Sequence, residues 1–166
     1  MESPPGEPRR SSERAPLDTA ELDAAVGFWL RLAQQRDLRA FGDRFAGEGI
    51  SQLGYAILLV LEANPGCRAA ELGEAVQVRQ PNLGEPLEAL VVRGLASRAS
   101  DPRDRRAQVL TLTPEGRRRL DELKAIHAGL IEGYRAALGA EGYDQLIALL
   151  RRFTLPREGP PDHQVP

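Results

Sequence analysis

The sequence predicts a mainly α protein carrying one small β-hairpin. Three observations lead there. Apolar residues recur at the spacing of an amphipathic helix through most of the chain. Hydrophobic residues make up 42% of the sequence but aromatic ones only 5%, a balance that suits aliphatic packing between helices. Only "LASRAS" and "AQVLTLT" break that period, as two short runs rich in Val, Leu, Thr and Ala on either side of an Asp101-Pro102 turn. At 166 residues the chain fits one domain with a real core.

Eight of the thirteen prolines fall at the ends, in residues 1–16 and 156–166. These ends hold too little apolar surface to offset the entropy of ordering, so they are expected to be disordered arms around a folded body spanning 17–155. The body opens with "LDTAELDAAVGFWLRLAQQRDLRAF". Asp18 stands three residues before Glu21 as a capping-box pair, and Leu22, Val26, Trp29 and Ala33 share one stripe, which predicts a single long amphipathic helix. "ISQLGYAILLVLEAN" starts at Ser51, is apolar nearly all round from Tyr55 to Leu61 and stops at "NPG", as a central buried helix does. "CRAAELGEAVQV" and "RQPNLGEPLEALVVRGL" read as two short helices, the second closed by Gly94. After the hairpin, Thr113, Pro114 and Glu115 supply an N-cap, a first-turn proline and an acidic first turn. A long helix follows with Leu120, Leu123, His127, Leu130 and Tyr134 on its stripe, and a last helix begins after Gly139.

Two short helices followed at once by a hairpin form the layout of a winged helix-turn-helix. In that layout the second helix enters a DNA major groove and the hairpin tip meets the adjacent backbone or minor groove. The charges agree with it. Between Arg93 and Arg119 stand eight arginines against Asp101, Asp104 and Glu115, a local balance of +5 inside a chain whose formal charge is -2. The planar, permanently charged arginine fork contacts phosphates and enters a narrow minor groove, where negative potential is focused. Asp101 is expected to fold the turn through its own backbone, and Asp104 to orient Arg106. A solvated hairpin tip is the competing reading of the loop, and the helix pair directly ahead of it favours DNA.

The stretch from "LLVLEANPG" through "DPRDRRAQVLTLTPEGRRRL" resembles the multiple-antibiotic-resistance regulator (MarR) family. The strongest matches are "RGL" at Arg93 to Leu95 and the wing signature at Asp104 and Arg106, with Leu110, Leu112 and Thr113 behind it. The resemblance is good over about residues 50 to 125, and holds in length and order only for the outer helices. It implies a homodimeric transcription factor, usually a repressor, that binds double-stranded DNA and in many members responds to a small aromatic or phenolic effector or to oxidants. It further implies a winged helix-turn-helix over about 50–115 and dimerisation helices over about 18–46 and 114–154. By the same resemblance Arg106 is the minor-groove arginine, Asp104 its orienting partner, Arg103 and Arg105 are phosphate contacts, and Gln80, Pro81, Asn82, Gly84 and Glu85 lie on the front of the recognition helix.

Two residues depart from that pattern. Setting Leu83, Leu87 and Leu90 inward turns Glu85 and Glu88 toward the groove, where the family commonly has arginine in place of Glu85. Such a carboxylate repels phosphates, although it can accept from a cytosine amino group. Pro86 has no N–H for the carbonyl of Asn82, so the helix is expected to kink after "NLG" or to begin again at Pro86. These departures support an alternative, a winged-helix dimer that binds a protein or small molecule and has lost or altered DNA binding.

Smaller signals favour plain structural roles. Cys67, the single cysteine, is expected to be a buried, inert thiol rather than a redox sensor. His127 reads as a core or pocket residue rather than a metal ligand, because neither Cys67 nor His163 forms a ligand spacing with it. Phe28, Trp29 and Tyr55 are candidates to line an effector pocket, with ordinary core packing as the alternative. There is no Ser/His/Asp trio, no metal-ligand spacing and no phosphate-binding glycine pattern, so neither enzyme activity nor a cofactor is expected. No run approaches the length of a membrane span and the start lacks an apolar signal core, which points to a cytoplasmic protein without a membrane partner.

Overall fold

Helix order follows the apolar periods, with one break. The structure is a computed structural model that describes residues 17–101 and 107–155. The expected arms and the centre of the wing lie outside those residues. The chain divides into an amino-terminal unit ending at Arg36 and a larger unit beginning at Asp37.

In the amino-terminal unit the single long first helix is not formed. A four-residue α1 (Ala20–Asp23) ends at Ala24, and α2 (Val26–Arg44) starts afresh. The Asp18 carboxylate accepts from the Ala20 N–H at 3.0 Å, so Asp18 does serve the first turn. What interrupts the helix is the fate of the Asp23 carbonyl. In an unbroken helix it would accept from the Gly27 N–H. Here it accepts from the Trp29 indole N–H at 2.8 Å. Gly27 is a weak helix former at just that position, so the competing bond wins. The stripe Leu22, Val26 and Trp29 is exposed in the single chain.

The larger unit is built around α3 (Gln52–Ala63). Ser51 caps it by accepting from the Gly54 N–H at 3.0 Å, and Ile57, Leu58 and Leu61 are fully buried. Each such side chain contributes about 1.5–3 kcal/mol through burial. The "CR" start of the next segment is not helical: β1 (Cys67–Arg68) precedes α4 (Ala69–Ala75), and α5 (Gln80–Val92) follows. The hairpin strands are β2 (Ala96–Ser100) and β3 (Gln108–Leu112). β1 joins them, so the expected hairpin is a three-stranded antiparallel sheet in the order β1-β3-β2, with Cys67 opposite Leu110 and Ala96 opposite Leu112. Two residues are too few to show a strand period, which is why β1 is invisible in the sequence. Leu110 and Leu112 turn to the core, and the Ser97 and Thr111 hydroxyls pair across β2 and β3 at 2.8 Å.

Two helices complete the unit, α6 (Pro114–Leu138) and α7 (Ala140–Thr154), and their limits are those the sequence marks. Thr113 Oγ1 accepts from the Gly116 N–H at 2.9 Å and donates to the Gly94 carbonyl at 2.6 Å. One cap residue therefore ties the start of α6 to the end of α5. Gly94 (φ 70°) and Gly139 (φ 74°) hold left-handed backbone that other residues adopt at a cost. Leu120, Leu123 and Leu130 of α6 are buried, whereas α7 buries none of its residues in the single chain and leaves Leu149 and Phe153 more than half exposed.

Candidate nucleic-acid interface

The helix-turn-helix is set by one backbone turn. Four residues separate α4 from α5, and Gln77 takes a positive φ of 55° there. The Val78 N–H then returns to the Gly73 carbonyl at 2.9 Å. A Cβ on Gly73 would sit 3.0 Å from the Val78 carbonyl, so glycine is what lets the turn close. Leu72 of α4 and Leu83, Leu87 and Leu90 of α5 lock the pair into the core.

With those leucines inward, Gln80, Pro81, Asn82, Gly84 and Glu85 come together on the exposed front of α5. Pro81 lies in the first turn, where a missing N–H is harmless. Pro86 neither breaks nor restarts the helix, which is continuous over all thirteen residues. The carbonyl that its ring leaves without an N–H belongs to Asn82, an exposed residue within reach of water. Arg79 stands exposed at the N-cap, and α5 itself contains no lysine or arginine.

The wing arginines Arg103, Arg105 and Arg106, with Asp104, lie outside the described residues. Their roots do not. Asp101, the residue before Pro102, is 7% exposed and is the buried charged residue of the described chain. Its N–H donates to the Ala107 carbonyl at 2.9 Å, closing the ladder below the tip. Its carboxylate accepts from the Arg68 guanidinium at 2.7 Å, reaching over from the opposite edge of the sheet, while the turn it was expected to fold lies outside the described residues. Arg68 is the N-cap of α4, a position that favours an oxygen acceptor, and a guanidinium has none to offer. The Glu71 carboxylate accepts from the Arg68 N–H at 2.7 Å, leaving the side chain for the wing root.

The remaining arginines of the basic stretch are largely engaged in the fold. Arg98 of β2 pairs with Glu88 of α5 at 2.9 Å, tying wing strand to recognition helix. Arg118 pairs with Glu115, and Arg119 with Glu122 and with Glu48. Arg93 donates to the Glu48 and Gly49 carbonyls ahead of α3. Arg117 is exposed and makes no ion pair among the described residues. The surplus of +5 counted along the chain is therefore partly offset in space by Glu48, Glu88 and Glu122.

The other candidates fall elsewhere. Phe28 and Trp29 belong to the amino-terminal unit, their rings edge to face at 5.4 Å. Tyr55 is buried in the larger unit, beside Phe45 at 5.4 Å and His127 at 5.0 Å between ring centres. Burial pulls the His127 imidazole below its ordinary value, against a smaller upward pull from Asp37. Asp37 accepts from the Tyr134 hydroxyl at 2.7 Å and from the Gln52 amide at 2.5 Å. Burial pushes the Cys67 thiol up, Glu71 pushes it the same way, and little reactive thiolate forms. Among the described residues no group of three His, Cys, Asp or Glu is placed to hold a metal ion, and no helix is long and apolar enough to cross a membrane.

Comparison with known proteins agrees with this geometry. The model of the MarR family matches residues 48–107, from the loop before α3 to the far side of the wing. The repressor NicR of Pseudomonas putida is 29% identical over 141 residues, covering 84% of this chain and 89% of NicR. The solved structure of the repressor CouR bound to a 23-mer DNA duplex superposes with a TM-score of 0.81 at 31% identity, covering 85% of this chain and all of that one (100%). BpsR of Bordetella bronchiseptica, whose DNA binding is regulated by 6-hydroxynicotinic acid, superposes with a TM-score of 0.76 at 25% identity, covering 86% of this chain and 99% of that one.

Proposed function

Because the chain belongs to the MarR family of winged-helix transcriptional regulators, we propose that it represses transcription as a homodimer whose grip on DNA a small effector weakens. It is a DNA-binding regulator and not an enzyme. α5 lies in the major groove with Gln80, Pro81, Asn82, Gly84 and Glu85 toward the bases, and Arg103, Arg105 and Arg106 meet phosphates and the minor groove with Asp104 holding Arg106. The observation that carries the reading is the exposed, pre-set front of α5 beside a wing root anchored by Arg68 and Asp101. The unburied apolar residues of α7, Leu146, Ile147, Leu149 and Phe153, support pairing of two copies through the terminal helices. An aromatic acid or a thioester of one is the effector class, on the analogy of the 6-hydroxynicotinic acid of BpsR and the p-coumaroyl-CoA bound to CouR. The protein works in the cytoplasm, where its DNA is.

A second reading keeps the dimer and drops the DNA. It is favoured by one observation, the absence of any cation from α5 alongside Glu85 and Glu88. Fluorescence anisotropy with the duplex upstream of the chain's own gene separates the two. Binding should fall steeply with salt, and Arg106→Ala should weaken it on all sequences and flatten the salt slope by about one ion. No binding to that duplex, or an affinity indifferent to salt, favours the second reading.

A further inference from the structure

We propose that Glu85 is a base-reading residue of this chain and that its target is the amino group of a cytosine in the major groove. The inference rests on the DNA-binding reading above and names what the recognition helix selects. With no lysine or arginine in its thirteen residues, α5 has only amides and carboxylates with which to tell one base pair from another. Its two carboxylates are not equivalent. Glu88 is held 2.9 Å from Arg98 of β2, so its charge is already committed inside the protein. Glu85 is exposed on the same helix, one turn beyond the exposed Asn82, and is bonded to no described residue.

A carboxylate only accepts hydrogen bonds. On the major-groove floor the donors are cytosine N4 and adenine N6, and adenine sets its N7 acceptor beside N6, where it repels the second carboxylate oxygen. Cytosine has no such acceptor, so Glu85 prefers it. The cost of bringing a negative charge toward phosphates is offset in part by the cation of Arg79, exposed at the start of the helix. A carboxylate in this place also lowers attachment to unrelated DNA, because it gains nothing where no cytosine amino group meets it.

The test is selection from a pool of randomised duplexes by the full-length wild type, Glu85→Gln and Glu85→Ala, with circular dichroism showing that all three are folded. For the wild type, cytosine is expected at one fixed position of each half-site, favoured about 10-fold over the other bases. Glu85→Gln should move that position to adenine, since an amide both donates and accepts. Glu85→Ala should flatten it and bind unrelated duplex at least as tightly as the wild type. Identical selections by all three proteins overturn the role of Glu85 and leave DNA binding standing. A wild type that retains no duplex from the pool overturns both.

Discussion

Gly116 and Gly84 invite the same substitution with opposite results. Gly116 is the third residue of α6, beneath the Arg93 to Leu95 turn. A Cβ there would lie 1.9 Å from the Leu95 carbonyl oxygen, 2.8 Å from its carbon and 3.0 Å from Leu112 Cδ1. Carbon and oxygen rest comfortably at about 3.3 Å, so the helix start and the turn must part by roughly 1.4 Å. The obstructing atoms are backbone, and the Thr113 N–H holds that same oxygen at 3.1 Å. Gly116→Ala therefore costs about 1–3 kcal/mol in overpacking and up to about 1 kcal/mol through the displaced Thr113 cap. At about 3 °C per kcal/mol for a domain of this size, the melting temperature should fall by about 3–12 °C. Gly84 lies inside α5 with nothing within 4 Å of a new Cβ, and Gly84→Ala should gain about 0.5–1 kcal/mol, or about 2–3 °C. Far-UV circular dichroism melts at one fixed protein concentration measure both, since dimerisation makes the midpoint depend on concentration. A Gly116→Ala melt within about 2 °C of wild type, or shifts of the same sign at both glycines, would refute the packing derived for this junction.

Two further outcomes test the wing root and the core histidine. Arg68→Ala removes one partner from the buried Asp101 carboxylate; half of the Arg68 side chain is exposed, so the loss should be a modest ~1–2 kcal/mol. A cycle of Arg68→Ala, Asp101→Asn and the double variant should then show coupling beyond about 0.5 kcal/mol, and additive urea midpoints would contradict the pair. For His127 the folded imidazole titrates below its ordinary value, so the unfolded chain takes up the proton first as pH falls. Its contribution is fully present above about pH 6.5 and is lost as pH drops through the lower folded value. Between pH 7.5 and 5.5 the wild type should lose more stability than His127→Phe, as urea titrations will show. Equal losses would mean that burial does not govern this group.

Local chemistry was legible residue by residue. Ser51, Thr113 with Pro114, Gly94 and Gly139 mark helix limits because caps and left-handed turns act over three or four residues, all visible in the sequence. The leucines of α5 and α6 announce their buried faces by spacing, and with them the exposed front that carries Gln80 to Glu85. The break before α2 was hidden, since it depends on an indole reaching back six residues to a carbonyl. β1 was hidden by its length.

Apart from β1 and the break before α2, the sequence by itself determined the elements, their order and the buried faces of α3, α5 and α6, because those follow from hydrogen bonding and hydrophobic period within a few residues. The partners of the charges were decided only by the tertiary structure. Arg68 meets Asp101 across 33 positions and Arg119 meets Glu48 across 71, and no period encodes such pairs. A count of arginines along the chain treats every one as available to DNA. Folding brings carboxylates from distant segments to several of them, since charges act through space on whatever the core has set beside them.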